Sequence, residues 1–300
     1  MPTPSSLTLA DGVAEAVVVP RLGAGLATYD LMAAGTRSPL FRPCRAIADA
    51  GPFDLANNLL LPWSNRISTR GFHLAGKFHP LEPNLPGEPY PIHGNGFSSV
   101  WTVETAAADR VELSLTSDGP GSFRYTARAS YALEAGALTM SLAVVNRAAE
   151  PLPFGLGFHP WIVRTCETLL QAEAERVVFE TNDHLPSEEA QASSRPEWNF
   201  ASQRGLPGGW INNAFLGWKG RANIFWLDRK LALDIEADPP LQVYILYSPS
   251  AEADFVCFEP VTHPVDAHNR PGGPEANGLV VLAPGQSLSA TCRFLPRRVG

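Results

Sequence analysis

Apolar and polar residues alternate with a period of two along much of this chain, the spacing of strands that bury one face. Val111–Thr116, Phe123–Leu133 and Leu138–Val145 alternate, and Glu134-Ala135-Gly136-Ala137 is a tight loop between the last two. Shorter strands are expected over 7–9, 16–19, 26–31, 101–103, 177–179, 222–227, 231–236, 241–247, 255–259, 278–282 and 288–294. Residues 39–62 are irregular apart from the apolar core at 56–61, and the polar stretch 186–207 reads as loop. No segment holds an apolar stripe at 3.6-residue spacing, and no repeat, composition break or linker divides the chain. The pattern predicts an all-β, mainly antiparallel fold, a large sandwich or barrel formed as one domain over 1–300. The 28 prolines and 25 glycines suit its many turns and broken edges.

The segment Phe154–Val163 carries the first chemical signal. Alternation puts Phe154, Leu156 and Phe158 on a core face, and Gly155, Gly157 and His159 on the other. That second face is expected to be a hollow with one imidazole at its rim, and Pro160 to end the strand there. In Phe255–Glu259 the same logic aligns Phe255, Cys257 and Glu259. The carboxylate ends an apolar row, where partial desolvation raises its pKa toward that of a general base near neutrality. Glu259 is also followed by proline, so both groups are expected at strand ends on one rim. Asn65-Arg66 and His93-Gly94 add fixed donors that match hydroxyls or a carboxylate. Trp63, Phe97, Trp161 and Trp218 lie close by in sequence, and aromatic faces beside polar donors suit a neutral sugar ring.

Composition narrows the partners. The chain is 45% hydrophobic and 18% charged, enough to build a substantial core. With a net charge of −7 and no Lys/Arg run, nucleic acid and anionic membrane surfaces are not expected partners. The four cysteines, Cys44, Cys166, Cys257 and Cys292, are far apart and include no C-x-x-C. This argues against a zinc site or disulfide framework and fits a reducing compartment. Met1–Leu9 lacks the pattern of a secretory signal and no stretch reaches membrane-spanning length, so a cytoplasmic location is expected. His263, Asp266 and His268 have metal-binding side chains, but Pro264 and loop-like neighbours give them no regular geometry, and no metal is expected.

Taken in order, Pro62-Trp-Ser-Asn-Arg-Ile67, Ile92-His-Gly94, Gly157-Phe-His-Pro160, Asn212-Asn-Ala-Phe215 with Trp218, and Phe258-Glu-Pro-Val-Thr262 resemble the aldose 1-epimerase (mutarotase) family. The match extends through Gly278–Gly285 to the C-terminal strand. The resemblance implies a galactose mutarotase-like β-supersandwich that interconverts the α and β anomers of a free monosaccharide without a cofactor. It also implies roles: Glu259 as base on the anomeric hydroxyl, His159 as acid on the ring oxygen, and Arg66, His93, Asn65, Asn212 and Trp161 as substrate-binding groups. Acid and base are expected on opposite sides of the ring. Asn212 stands where the family usually has an acidic residue, which bears on the choice of sugar more than on the chemistry. Two alternatives remain: a hexose-6-phosphate 1-epimerase, for which Asn95–Ser99 offers no arginine, or a non-catalytic sugar-binding protein of the same fold. Whether the chain is a monomer or a homodimer is not legible.

Overall fold

A computed structural model describes residues 5–33 and 36–299. The remaining positions of the expected 1–300 domain, residues 1–4 of the N-terminal stretch included, lie outside the described residues. The fold is all-β: two large sheets, two small two-stranded sheets, and helical elements that are only three-residue 3₁₀ turns among the described residues. An eleven-stranded sheet has at its centre, in spatial order, Asn57–Leu60, Gly157–Val163, Phe255–Val261, Val243–Ser248, Ile211–Leu216 and Arg176–Glu180. A nine-stranded sheet is built around Ser287–Arg298, flanked by Ala137–Asn146 and Leu231–Ala237. The pairings within both sheets are antiparallel.

The core lies between the two sheets. Phe158, Ile162, Phe258, Tyr244 and Phe215 of the larger sheet share one apolar cluster with Leu138, Met140, Leu233, Ile235 and Phe294 of the smaller. Some polar tips within it are used: the Tyr29 hydroxyl donates to the Gly136 and Phe294 carbonyls, and Trp226 Nε1 to the Val163 carbonyl. The clean alternation read in 111–116 marks a strand with one wet face, and Arg110–Ser117 does alternate between buried and exposed. Gly157–Val163 and Phe255–Val261 are instead buried on nearly every residue, so both of their faces are covered. A second, smaller apolar cluster on the face away from the main core (Leu60, Val178, Ala214, Leu216, Val243, Ile245 and Val261) supplies part of that cover.

Four expectations change. Phe154–Val163 is two strands: Leu152–Phe154 pairs with Val280–Leu282, and Gly157–Val163 joins the large sheet. Between them the Gly155 amide donates to the Pro62 carbonyl and the Leu156 amide to Thr262 Oγ1, long-range bonds that pull the backbone out of the ladder. Nor do Pro160 and Pro260 end their strands. Pairing between Gly157–Val163 and Phe255–Val261 lapses between the Gly157–Val261 and Trp161–Cys257 pairs, then resumes. The segment 186–207 is not all loop, because Pro186–Gln191 is an edge strand whose polar, mostly exposed side chains hide it from a hydrophobicity reading. Finally, the hollow expected beside Gly155 and Gly157 is filled: a Cβ on Gly155 would lie 2.2 Å from the His263 ring, and one on Gly157 2.6 Å from Val261.

Candidate active site

Strand registers place the site on two rows crossing the outer face of the large sheet. One row runs Asn58, His159, Glu259, Ile245, Ala214, with His159 and Glu259 facing each other midway between the Gly157–Val261 and Trp161–Cys257 pairs. The neighbouring row runs Trp161, Cys257, Tyr247, Asn212. Because side chains two apart on a strand share a face, residues a hundred positions apart in the chain become lateral neighbours. Above the rows lies a cavity of about 210 Å³, lined by His159, Glu259, Trp161, Tyr247 and Asn212 from the sheet. Phe53, Asn65, Arg66, Glu88, His93, His184 and Trp210 line it from the loops. That is below the ~300–1,000 Å³ of drug-sized pockets and suits one small ring.

His159 Nε2 lies 3.3 Å from Glu259 Oε1, and both side chains are almost fully buried. Burial pushes the His159 imidazole down to about 3, with the Arg42 charge adding to the shift and a backbone hydrogen bond opposing it. Burial likewise lifts Glu259 well above the usual carboxylate range, opposed by the Arg66 charge. Each uncharged form is favoured, which leaves the one exchangeable proton of the pair on Glu259 beside a neutral imidazole. Glu259 Oε2 and His159 Nδ1 are buried without a protein partner among the described residues, an unsatisfied arrangement that folding alone does not favour. The imidazole is wedged in place: its ring stacks on Trp161 at 5.1 Å, and the Arg42 guanidinium covers the indole at 4.1 Å. Arg42 Nη2 is itself held by the Phe53 carbonyl.

The loop groups are equally fixed. The Asn65 amide N–H donates to His93 Nδ1 at 3.0 Å, so the proton of the neutral ring sits on Nε2 as a donor. Burial keeps His93 neutral, its pKa well below the ordinary imidazole value, with the charges of His159 and Arg66 acting in the same direction. Asn65 and His93 both have φ near +58°, and His93 is followed by Gly94, where a Cβ would lie 2.1 Å from the Leu61 carbonyl oxygen. Arg66 forms a two-pronged pair with Glu88: Nε to Oε1 at 3.0 Å and Nη2 to Oε2 at 2.7 Å.

Of the residues singled out in the sequence, Arg66, His93, His159, Glu259, Asn65, Asn212 and Trp161 all line this cavity. Trp63 and Trp218 do not; both belong to the main core, and Trp218 Nε1 is spent on the Arg221 carbonyl. Phe97 sits behind His93 rather than in the cavity. Six lining residues escaped the sequence reading: Phe53, Leu85, Glu88, His184, Trp210 and Tyr247. Tyr247 lay within a strand read from its alternation, two residues from the buried Ile245, which was the one available signal. The acid and base expected on opposite sides of a ring stand side by side on one wall.

His263, Asp266 and His268 have structural uses. The His263 ring accepts from the Ser64 amide N–H and bonds the Pro264 carbonyl, Asp266 accepts from the Ser68 N–H and hydroxyl, and His268 reaches the Pro153 carbonyl. One trio among the described residues brings metal-ligand atoms within 4.8 Å of each other: His159, Cys257 and Glu259. The thiol pKa is raised by burial and by the Glu259 charge, which keeps it protonated and a poor ligand.

Comparison with known proteins follows the same outline. The sequence pattern of the aldose 1-epimerase family matches residues 5–295. The uncharacterised Escherichia coli K12 protein YphB is 32% identical over 262 residues, 84% of this chain and 87% of YphB. A solved structure of a candidate aldose 1-epimerase from E. coli K12 superposes with a TM-score of 0.89 at 29% identity, covering 98% of this chain and 99% of its own. A galactose mutarotase-like protein from Clostridium acetobutylicum shares the fold at a TM-score of 0.83 and 19% identity, over 98% and 95% of the two chains.

Proposed function

From the premise that this chain belongs to the aldose 1-epimerase family, we propose that it interconverts the α and β anomers of a free, unphosphorylated monosaccharide. The observation that carries the reading is the buried His159–Glu259 pair, 3.3 Å apart at the floor of a ring-sized cavity. The anomeric hydroxyl oxygen and the ring oxygen are bonded to one carbon, so two groups 3.3 Å apart on one wall can reach both. In the reactive form the shared proton has passed from Glu259 to His159, and the Glu259 carboxylate takes the proton from the hydroxyl at C1. His159, carrying the shared proton, gives it to the ring oxygen as the C1–O5 bond breaks. The C1 oxygen becomes a carbonyl, the C1–C2 bond rotates, and reclosure returns both protons to where they began. Each proton transfer contributes ~10²- to 10⁴-fold in rate. His93 Nε2–H and Arg66 orient the ring oxygen and hydroxyls, and Trp161, Trp210 and Tyr247 enclose the ring.

The phosphorylated-sugar alternative finds little support. Arg66 is the lining arginine, and Glu88 engages two of its nitrogens, leaving no free cationic fork for a phosphate. The expectation of a cytoplasmic enzyme that needs no cofactor forms part of the same proposal. Among the described residues no helix is long and apolar enough to cross a membrane. Saturation-transfer NMR over a panel of aldoses, with and without their 6-phosphates, tests the proposal. Exchange above the uncatalysed rate for at least one free aldose is expected; binding without exchange for every sugar would favour the non-catalytic alternative.

A further inference from the structure

The Glu180 carboxylate forms a hub behind one wall of the cavity. It ends strand Arg176–Glu180, next to the strand that carries Asn212. Its Oε1 accepts from Trp210 Nε1 at 2.6 Å, and its Oε2 lies 2.5 Å from Asn212 Nδ2 and 2.8 Å from His184 Nδ1. Trp210, Asn212 and His184 are all cavity-lining residues, whereas Glu180 is not. One carboxylate thus fixes three lining groups, among them a half-exposed indole stacked on the His184 ring at 5.5 Å.

We propose that Glu180 turns Asn212 into a dedicated acceptor for a sugar hydroxyl remote from C1, forming with Trp210 a second subsite that selects the substrate. A carboxylate can only accept, so the amide edge facing Glu180 must be the NH₂. The other edge is Oδ1, and the bond to Glu180 is the one side-chain hydrogen bond of this cavity-lining amide among the described residues. The amide is therefore locked in the orientation in which an uncharged side chain acts as a pure acceptor, while the charge sits one layer back. Asn212 is two strands away from Glu259 and one row over, roughly 12 Å between the two backbones, which leaves room for a sugar ring with a hydrogen bond at each end. The ligand class is an unmodified pyranose with a free hydroxyl at that end, its apolar face against Trp210. This inference rests on the mutarotase reading for its substrate but not for its geometry.

A charge swap tests it. In Asn212→Asp two carboxylates would face each other at hydrogen-bond distance, so KM should rise about tenfold or more and recover partly as pH falls. Glu180→Gln weakens the hub and should raise KM about threefold to tenfold, with the larger effect in KM rather than kcat. In the double variant Glu180→Gln/Asn212→Asp, the introduced amide can donate to the introduced carboxylate and to His184 Nδ1, while its oxygen still accepts from Trp210. The carboxylate would present its other oxygen to the cavity, so KM should return to within about threefold of wild type. Wild-type KM in Asn212→Asp alone, or a swap no better than that single variant at matched melting temperature, overturns the proposal. If the wild type binds sugars without exchanging their anomers, the mutarotase reading fails, and the same ranking is then read in Kd.

Discussion

His159 and Glu259 face each other across neighbouring antiparallel strands, with Nε2 3.3 Å from Oε1. In the proposed reaction that places donor and acceptor on the same side of the reacting carbon. It also makes the number of protons on the pair, rather than on either residue, the quantity that governs chemistry.

Removing either member should expose this dependence. Glu259→Gln keeps the shape but cannot accept a proton from the anomeric hydroxyl, and His159→Gln cannot donate one to the ring oxygen. Each should lower kcat by ~10²- to 10⁴-fold, with a double variant little worse than the poorer single. Polarimetry on the preferred aldose measures this, and a Glu259→Gln enzyme as fast as wild type removes the base from the scheme.

The acid limb of the pH profile should lie unusually low. Activity needs one proton on the pair; the acid limb appears only when His159 takes a second, near its depressed value of about 3. The alkaline limb begins when the shared proton is lost, above the ordinary carboxylate range because Glu259 is raised. The logarithm of kcat/KM, corrected for the uncatalysed rate, should therefore show its acid limb near 3 and not at about 6.5, the ordinary imidazole value. Activity that rises with pH through a midpoint at about 6.5 would show that His159 titrates as though solvated.

Acid stability gives a separate test through His263. Burial holds its pKa down to about 4, against about 6.5 when unfolded. Below pH 6.5 the unfolded chain binds a proton that the folded state refuses, so stability is lost as pH falls from 6.5 to about 4. The loss is about 3 kcal/mol for this residue. His93 and His268, also lowered by burial, act in the same direction, whereas Glu259, raised by burial, acts in the opposite one above its unfolded value. His263→Asn should flatten the fall in Tm between pH 6.5 and 4, followed by circular dichroism. An unchanged slope would show that the ring is already protonated in the fold.

Packing around that ring also predicts the effect of a methyl group. In Gly155→Ala the new Cβ would lie 2.2 Å from His263 Cδ2, on a ring pinned by Ser64 and Pro264. Overpacking of this kind costs about 1–3 kcal/mol, a few degrees in Tm for a chain of this size. Gly208→Ala, with nothing within 4 Å, is the control and should melt with the wild type.

What the sequence revealed depended on distance along the chain. Faces within one strand were readable: Phe158 is in the core with His159 on the other side, and Cys257 is on the face of Glu259. Neighbours across strands were not. Glu180 meets Asn212 only through a register set by pairs such as Val178–Ala214, and no local pattern announces it. Trp63 and Trp218 were drawn to the site by proximity in sequence, because hydrophobicity does not say which side of a sheet an indole takes. The break after Phe154 was hidden for a related reason, since the carbonyl that captures the Gly155 amide belongs to Pro62.

The lapse in pairing between Gly157–Val163 and Phe255–Val261 has a mechanical side. Two central strands are stitched above and below the reactive side chains but not alongside them, so the sheet has a short seam in its middle. A seam closed at both ends can widen slightly without unzipping. In the proposed reaction such a seam would let imidazole and carboxylate part and approach by fractions of an ångström as the ring opens and recloses, with the frame around them held still.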